Sequence, residues 1–263
     1  MTRELRRLLI SPDRLRAAGE RRLAITEAEA HYLRRVLRLG SGDPVAVVDG
    51  MGQLWTAELT SDRALQLQQP LAQPLQRCGQ LSPGIELAMA VPRRDGELVW
   101  RMATELGVDC LQPLIAERSQ ARERGLDAWP LQRWSTILQE ASEQCERLWL
   151  PQLKAPRHAL ELLADPPGGL GLIATTRRPG LPLLEELLTA MDPTSPRPQA
   201  LSLAIGPEGG WSEPELAVAE GAGWRAVTLG DSILRTATAA IAGVARLASW
   251  RALSCASSPW PSP

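Results

Sequence analysis

The carboxyl-terminal part of the sequence repeats one arrangement twice: a short apolar run, a glycine-containing loop and a helix-forming segment. Residues 200–205 form an apolar run of strand length that stops at a Gly-Pro pair, residues 206–207. Residues 212–215 then match a helix capping box, and a glycine at 221 or 223 can end the helix. The pattern predicts a buried strand, a glycine-rich loop and a helix.

A second unit follows directly, with a strand at 225–229, a loop at 230–235 and an alanine-rich helix that Thr236 is expected to cap. Two such units in succession predict a parallel α/β sheet whose loops gather at the carboxyl ends of the strands, where open sheets bind ligands. The loop at 206–210 does not specify that ligand by itself. It lacks the spacing of the dinucleotide fingerprint and the Lys-Ser/Thr pair of a phosphate-binding loop.

In combination, the loops at 206–210 and 229–236 closely resemble those of the RsmE family of ribosomal RNA uridine-N3 methyltransferases, within the SPOUT, or α/β-knot, superfamily. Further similarity lies at residues 31–39, 48–50 and 140–151. The resemblance implies an α/β trefoil-knot methyltransferase domain behind a small N-terminal PUA-like β-barrel domain. It also implies S-adenosyl-L-methionine as cofactor and N3 of a uridine in 16S ribosomal RNA of the small subunit as target.

Two positions differ from what is usual in the family that the chain resembles. Glu146 stands where glycine is usual, and Ala237 stands where the second loop usually has a glutamate, in the pattern Arg-Thr-Glu-Thr. The second difference keeps an alternative function open: a ribosome-binding or assembly factor that kept the fold and lost turnover. Another alternative is a related knot methyltransferase that acts on transfer RNA.

The composition of the chain suggests where its domains divide. The proline-rich stretch at 70–84 predicts a linker between a PUA-like RNA-binding domain at 1–75 and a methyltransferase domain at 85–253. The Ser/Pro-rich residues 254–263 predict a disordered tail. The second domain contains further predicted strands at 85–91, 111–115 and 168–176, and predicted helices at 93–107 and 131–148.

Charge is distributed unevenly along the chain. The 263 residues carry a net charge of −1, but residues 1–40 contain ten arginines against five acids. This asymmetry predicts an anionic partner for the amino-terminal part. The four cysteines have no metal-ligand spacing, the amino terminus lacks the apolar core of a signal peptide, and no apolar run approaches the ~18 residues of a membrane span. The prediction is a cytoplasmic protein with no metal and no membrane association.

A basic stretch of the first domain is the predicted RNA contact. Residues 27–39 have a helical period, and Thr26 can cap the helix. Four basic residues then share one helical face: His31, Arg34, Arg35 and Arg38. Taken alone, such a face is more often solvated than bound to phosphate. The resemblance favours RNA binding, and it implies the same role for Arg147.

The glycines of the two loops let the backbone approach a ligand closely, because no Cβ intervenes. Backbone groups of such loops can bind an adenine edge and hydroxyls, while apolar side chains cover the faces of the ring. Thr175 lies where the family contacts the cofactor. The predicted cofactor-binding residues are Thr175, Ile205, Gly206, Gly209, Gly210, Leu229, Gly230, Ile233, Leu234 and Thr236.

Methylation of uracil N3 requires that its weakly acidic proton be taken by a base or that a cation stabilise the developing negative charge. Arg235 is predicted to supply that cation or to hold the target nucleotide, although an arginine paired to its own sheet is an equal alternative. Glu143 and Glu208 are the candidates for a base. Glu208 could equally fix its own loop. A homodimer is also expected, both from the resemblance and because the last helix is apolar on more than one face.

Overall fold

The protein divides into two compact units in a computed structural model, which describes residues 5–119, 129–176, 178–191 and 196–254. The first unit comprises residues 1–80 together with 139–150, and the second comprises 81–138 together with 151–263. Segment 139–150 lies within the predicted methyltransferase domain and nevertheless packs with the first unit. Apart from Ser254, the predicted tail lies outside the described residues.

The first unit is built on a mixed sheet of six strands in the order β1-β3-β4-β5-β2, with β6 paired to β4. Its elements are β1 (Arg7–Leu9), α1 (Pro12–Ala17), a 3-10 turn (Gly19–Arg21), β2 (Arg22–Ala24), α2 (Glu27–His31), β3 (Pro44–Val48), β4 (Gln53–Leu59), β5 (Ala64–Leu67) and β6 (Gln76–Arg77). Alternate residues of these strands point inward and form an apolar core around Ile10, Leu33 and Trp55.

Strands β3 and β4 form an antiparallel hairpin that pairs residues 44–48 with residues 54–58. Asp49 explains why the chain turns there, because its Oδ1 accepts hydrogen bonds from the backbone N–H groups of Met51 (2.7 Å) and Gln53 (2.9 Å). Gly52 has φ +93, and a Cβ at this position would lie 2.4 Å from the carbonyl oxygen of Cys78. Only glycine therefore fits the second half of the turn.

The helix predicted over residues 27–39 is shorter and less regular than its sequence period indicates. Thr26 caps it through a reciprocal capping box with Glu29, as predicted. The α-helix ends at His31 and continues as a π-helical turn, Tyr32–Val36. Arg38 lies beyond this turn with φ +57. The prediction that the four basic residues share one α-helical face is therefore wrong, because a π-turn changes the spacing that brings residues onto one face.

The second unit contains a parallel sheet of seven strands in the order β10-β8-β7-β12-β11-β13, with β9 paired to β8. Its elements are β7 (Gly84–Ala90), α3 (Gly96–Glu105), β8 (Cys110–Ile115), β9 (Gln152–Leu153), β10 (Arg157–His158), α5 (Ala159–Ala164), β11 (Leu170–Ala174), α6 (Leu184–Thr189), β12 (Ala200–Ile205), α7 (Glu213–Gly221), β13 (Arg225–Val227) and α8 (Thr236–Ser254). One further helix, α4 (Leu131–Gln144), has residues in both units.

Helices cover both faces of the parallel sheet, which explains why its strands are almost continuously apolar. Side chains of α3, α6 and α8 form one core with Leu87, Leu203 and neighbouring residues, while those of α5 and α7 form the other with Ala88 and Ala204. Within the described residues, no helix is long and apolar enough to cross a membrane. The predicted α/β architecture is confirmed, with α5, α6, β9 and β10 as elements that the sequence pattern does not reveal.

Candidate active site

The predicted cofactor residues gather at one edge of the parallel sheet. Strands β12, β11 and β13 are direct neighbours in that order and run in the same direction. Thr175 follows β11, the loop at 206–210 follows β12, and the loop at 228–235 follows β13. The structure therefore brings these three segments of distant sequence together, as the resemblance implies.

The first glycine loop is shaped by Trp211. Its indole Nε1 donates to the carbonyl oxygen of Ala174 (3.0 Å), at the end of β11. A Cβ on Gly206 would lie 3.0 Å from the indole ring, so the absence of a side chain lets the ring lie against the backbone. Gly210 has φ +72, and no atom lies within 4 Å of the position its Cβ would occupy. The loop thus has a packed side and an open side.

Two residues outside the predicted set also anchor this loop. Glu215 is only 2% exposed; its Oε2 accepts from Ser212 N (2.8 Å), completing the predicted capping box. Its Oε1 accepts from Glu117 N (2.8 Å), beyond the end of β8. Arg118 donates from Nη1 to the carbonyl oxygens of Trp211 (3.1 Å) and, more weakly, Gly209 (3.4 Å). The capping box is visible in the sequence, whereas these contacts with residues far away along the chain are not.

The second loop is closed by Thr228 and joined to the first by Thr236. The hydroxyl of Thr228 donates to the carbonyl oxygen of Gly230 (3.0 Å) and accepts from its N–H (3.4 Å). Gly230 has φ +139 and open space at its Cβ position. The prediction that Thr236 caps the last helix is wrong by one residue, because Thr236 is already the first helical residue. Its buried hydroxyl instead donates to the carbonyl oxygen of Gly206 (3.0 Å).

The apolar residues of the predicted site divide into two groups. Ile205 and Leu229 are buried in the main core, and they directly precede Gly206 and Gly230 of the two loops. Ile233 is 61% exposed and Leu234 is half-buried. These two side chains therefore present apolar surface in the second loop.

The three predicted catalytic residues lie in different surroundings. Arg235 and Glu208 are exposed in the two glycine-containing loops. Glu143 belongs to the first unit, where its Oε1 accepts from Leu9 N (2.8 Å) and from Gln139 Nε2 (3.1 Å). Burial raises the pKa of this carboxyl group, against the opposing effect of those hydrogen bonds. These bonds give Glu143 a structural role in holding the backbone of β1.

Three of the predicted RNA-binding residues line a cavity in the first unit. His31, Arg34 and Arg35 share this cavity of about 660 Å³ with Arg63, in the turn between β4 and β5, and with Glu27. Arg34 is partly engaged, since its Nη2 donates to the carbonyl oxygens of Thr60 (2.9 Å) and Ser61 (3.1 Å). The two other predicted contacts, Arg38 and Arg147, do not line this cavity. The sequence carries no local signal for Arg63 in this cavity, because its placement depends on strand pairing.

Among the described residues, no group of three or more His, Cys, Asp or Glu side chains is arranged to hold a metal ion.

Comparison with known proteins identifies the family. The model of an RNA methyltransferase domain matches residues 80–248, and that of an RNA methyltransferase PUA domain matches residues 25–68. A Synechocystis protein named ribosomal RNA small subunit methyltransferase E is 37% identical over 245 residues, which cover 92% of this chain and 76% of the relative. The chain belongs to the ribosomal RNA small subunit methyltransferase E family.

Solved structures agree with this family. A methyltransferase from Legionella pneumophila in complex with SAM is 25% identical, with a TM-score of 0.77, and covers 94% of this chain and 98% of its own. A ribosomal RNA small subunit methyltransferase E from Neisseria gonorrhoeae bound to S-adenosyl methionine is 27% identical, with a TM-score of 0.73 and the same coverage. The predictions of an RNA methyltransferase of this family and of a PUA-like domain before an α/β domain are confirmed.

Proposed function

We propose that this chain transfers a methyl group from S-adenosyl-L-methionine to N3 of a uridine in 16S ribosomal RNA. The observation that carries the proposal is the joining of two glycine loops at one sheet edge through the Thr236–Gly206 hydrogen bond. Both loops present open space at a glycine, Gly210 in one and Gly230 in the other. Family membership indicates the reaction class, and this edge of the parallel sheet is the proposed location of the reaction.

The residues present fit the cofactor. The structures from L. pneumophila and N. gonorrhoeae contain S-adenosylmethionine, whose sulfonium supplies an electrophilic methyl group when bound. In this chain, free backbone approach at Gly210 and Gly230 suits polar contacts to an adenine edge and to hydroxyls. The partly exposed Ile233 and Leu234 suit the face of the ring.

Methylation of uracil N3 requires the protein to remove a proton and to stabilise negative charge on the base. As the C–N bond forms, the proton of uracil N3 must leave and the electrons of the S–CH3 bond pass to sulfur. Arg235 is exposed in the second loop, next to the residue that joins the loops, and its guanidinium can stabilise negative charge that develops on the uracil oxygens. Glu208, exposed in the first loop, is the candidate to take the proton, directly or through water.

The cavity of the first unit is proposed to hold the RNA backbone. Its lining contributes three guanidinium groups and one imidazole against the single carboxylate of Glu27. Arginine is suited to this work because its planar fork matches two phosphate oxygens. Arg38 and Arg147 remain proposed contacts to RNA outside the cavity. We place the reaction in the cytoplasm, and the active species is a homodimer in this proposal.

Transfer of labelled methyl groups from S-adenosylmethionine to small ribosomal subunits that lack the modification tests the function. Mass spectrometry of the nucleosides is expected to show N3-methyluridine in 16S RNA only when the protein is present. Binding of S-adenosylmethionine without methyl incorporation would favour the alternative of an assembly factor. Incorporation into transfer RNA alone would favour the other knot methyltransferases.

A further inference from the structure

Arg246 of α8 connects the second glycine loop to a neighbouring helix. Its Nη1 donates to the carbonyl oxygen of Leu229 (2.9 Å), the residue that precedes Gly230. Its Nε forms an ion pair with the carboxylate of Glu185, in the first turn of α6. The two side chains are 31% and 49% exposed, so that the pair lies at the surface of the unit with part of each group in contact with the protein.

The same stretch of backbone is held from a second direction. Leu184 N donates to the carbonyl oxygen of Thr228 (3.1 Å), and Thr228 N donates to that of Pro182 (3.0 Å). The segment before α6 thus extends the sheet by a short parallel pairing, and Glu185 stands directly after it. Residues 228 and 229 are therefore fixed by strand-like bonds and by the guanidinium of Arg246, just before the open glycine.

We infer that Arg246, held by Glu185, is a positioning residue for the cofactor loop of this enzyme. The inference depends on the proposed function, because it assigns a role in binding the methyl donor. Gly230 adopts φ +139 with no atom within 4 Å of the position of a Cβ, and the Thr228 hydroxyl bonds both its N–H and its carbonyl oxygen. By fixing the carbonyl of Leu229, Arg246 sets the orientation of the peptide that leads into Gly230. The affinity for S-adenosylmethionine is then higher, because the loop loses less conformational entropy when the ligand binds.

The charge of the Arg246–Glu185 pair also suits a position beside the proposed cofactor loop. S-adenosylmethionine carries a sulfonium and an ammonium group against one carboxylate, so an isolated arginine beside its loop would repel it. Glu185 neutralises Arg246, so the pair can orient the backbone without adding net charge. A lysine could keep one hydrogen bond or the ion pair, but its single ammonium group lacks the planar fork that makes both at once.

A small set of variants separates this role from a general loss of stability. Arg246→Ala removes both contacts, Arg246→Lys retains the charge, and Glu185→Gln releases the guanidinium. Arg157→Ala is the matched control, since Arg157 forms an ion pair of similar exposure with Asp165 (3.0 Å) in the same unit. Neither Arg157 nor Asp165 belongs to the two glycine loops.

For Arg246→Ala we expect the Kd and the KM for S-adenosylmethionine to rise by about tenfold, the effect of losing a hydrogen bond to a charged group. The KM for RNA should stay within about twofold of wild type. Arg246→Lys should recover part of the affinity, and Glu185→Gln should show a smaller loss. Arg157→Ala should match wild type in all three constants. Thermal melting identifies any variant that does not fold, in which case Arg246→Lys carries the comparison.

Hydrogen exchange gives a second measurement that does not depend on activity. Amides of residues 228–235 should exchange faster in Arg246→Ala than in wild type or Arg157→Ala. The inference is overturned if Arg246→Ala binds S-adenosylmethionine as wild type does, or if its exchange in this loop is unchanged. A wild-type protein that does not bind S-adenosylmethionine would instead overturn the proposed function, while the exchange experiment would still decide whether Arg246 orders the loop.

Discussion

Ala237 is the residue at which the chain departs from its family nearest the proposed site. It is the second residue of α8 and packs partly against the main core. A glutamate there would complement the helix dipole, worth about 0.3–1 kcal/mol, whereas alanine has the highest helix propensity. We therefore expect an active wild type, and Ala237→Glu should change turnover by less than about tenfold, or ~1.4 kcal/mol in the barrier.

The measurement is methyl transfer to undermodified small subunits by both proteins under the same conditions. Rescue of an inactive wild type by the glutamate would show that the missing carboxylate is catalytic, for example by holding Arg235 towards the substrate.

The other departure from the family is Glu146, and its backbone conformation gives a physical reason why glycine is usual at this position. The residue has φ +64, a left-handed conformation that glycine adopts at little cost and other residues do not. Arg7 compensates in part, since it donates to both the carbonyl oxygen and the Oε2 of Glu146. Glu146→Ala loses the ion pair and keeps the strain, while Glu146→Gly loses the ion pair and relieves the strain.

The free energy of unfolding should therefore be higher for Glu146→Gly than for Glu146→Ala, by about 1 kcal/mol. Chemical denaturation of the two variants beside wild type measures this difference. Equal stability of the two would mean that the backbone at this position is not strained.

At the scale of elements, the sequence predicts the features that depend on residues close together in the chain. The helix cap at Thr26, the capping box at Ser212 and the strand β12 follow from residues a few positions apart, and the structure confirms them. The π-turn after His31 and the end of α4 at Gln144, before the predicted end at 148, are not visible in the helical period of the sequence. Arg63 and Arg246 reach the cavity and the second loop through tertiary contacts, for which the sequence carries no local signal.

Helix α2, the π-turn and the β4–β5 turn line the cavity of the first unit, and the arginines of this cavity differ in their contacts. Arg34 supports the turn through two carbonyl oxygens, so its removal would also disturb structure. Arg35→Ala combined with Arg63→Ala should weaken RNA binding and flatten its salt dependence, by roughly 0.7–0.9 units of log–log slope per lost phosphate contact. Affinity for S-adenosylmethionine should be unchanged.

Arg16→Ala is the matched control, because Arg16 is an exposed arginine of α1 outside the cavity. An unaltered salt slope in the double variant would show that the cavity does not contact phosphate.

The contribution of Glu143 to the free energy of unfolding should depend on pH. Burial raises the pKa of Glu143, so the folded state binds its proton more tightly than the unfolded state does. The stability from this group is present at low pH and is lost as pH rises through the raised pKa. Glu143→Gln removes the titration, and its amide oxygen can still accept from Leu9 N.

The free energy of unfolding of Glu143→Gln, minus that of wild type, should accordingly increase as pH rises from about 4 to 7. Denaturation curves of the two proteins across that range measure the difference, in which all other titrating groups cancel. A constant difference would mean that folding leaves the pKa of Glu143 unchanged, and a falling difference would mean that the folded state stabilises the carboxylate.

At the scale of the whole molecule, α8 is the helix through which we propose that two copies of the chain associate. One side of this helix is buried against β7, β12 and α3, through Ala240, Val244 and Leu247. Gly243 allows the close approach, since a Cβ there would lie 2.4 Å from Leu203 Cδ2. The opposite side presents four small residues: Thr238, Ala242, Ala245 and Ser249. Small side chains allow a second helix to approach closely, so this side fits the homodimer implied by the family resemblance.

Light scattering at micromolar concentration should therefore give the mass of a dimer for wild type. Ala242→Arg places a long cation in the middle of the small-residue side and should yield a monomer with reduced methyl transfer, because we propose that the second copy of the chain completes each cofactor site. Ala217→Arg is the matched control: Ala217 is an exposed alanine of α7, on the other face of the sheet. It should remain an active dimer. A wild type that is monomeric and fully active would contradict the dimer, and equal loss in both variants would show that added charge, rather than the face it lies on, disturbs the protein.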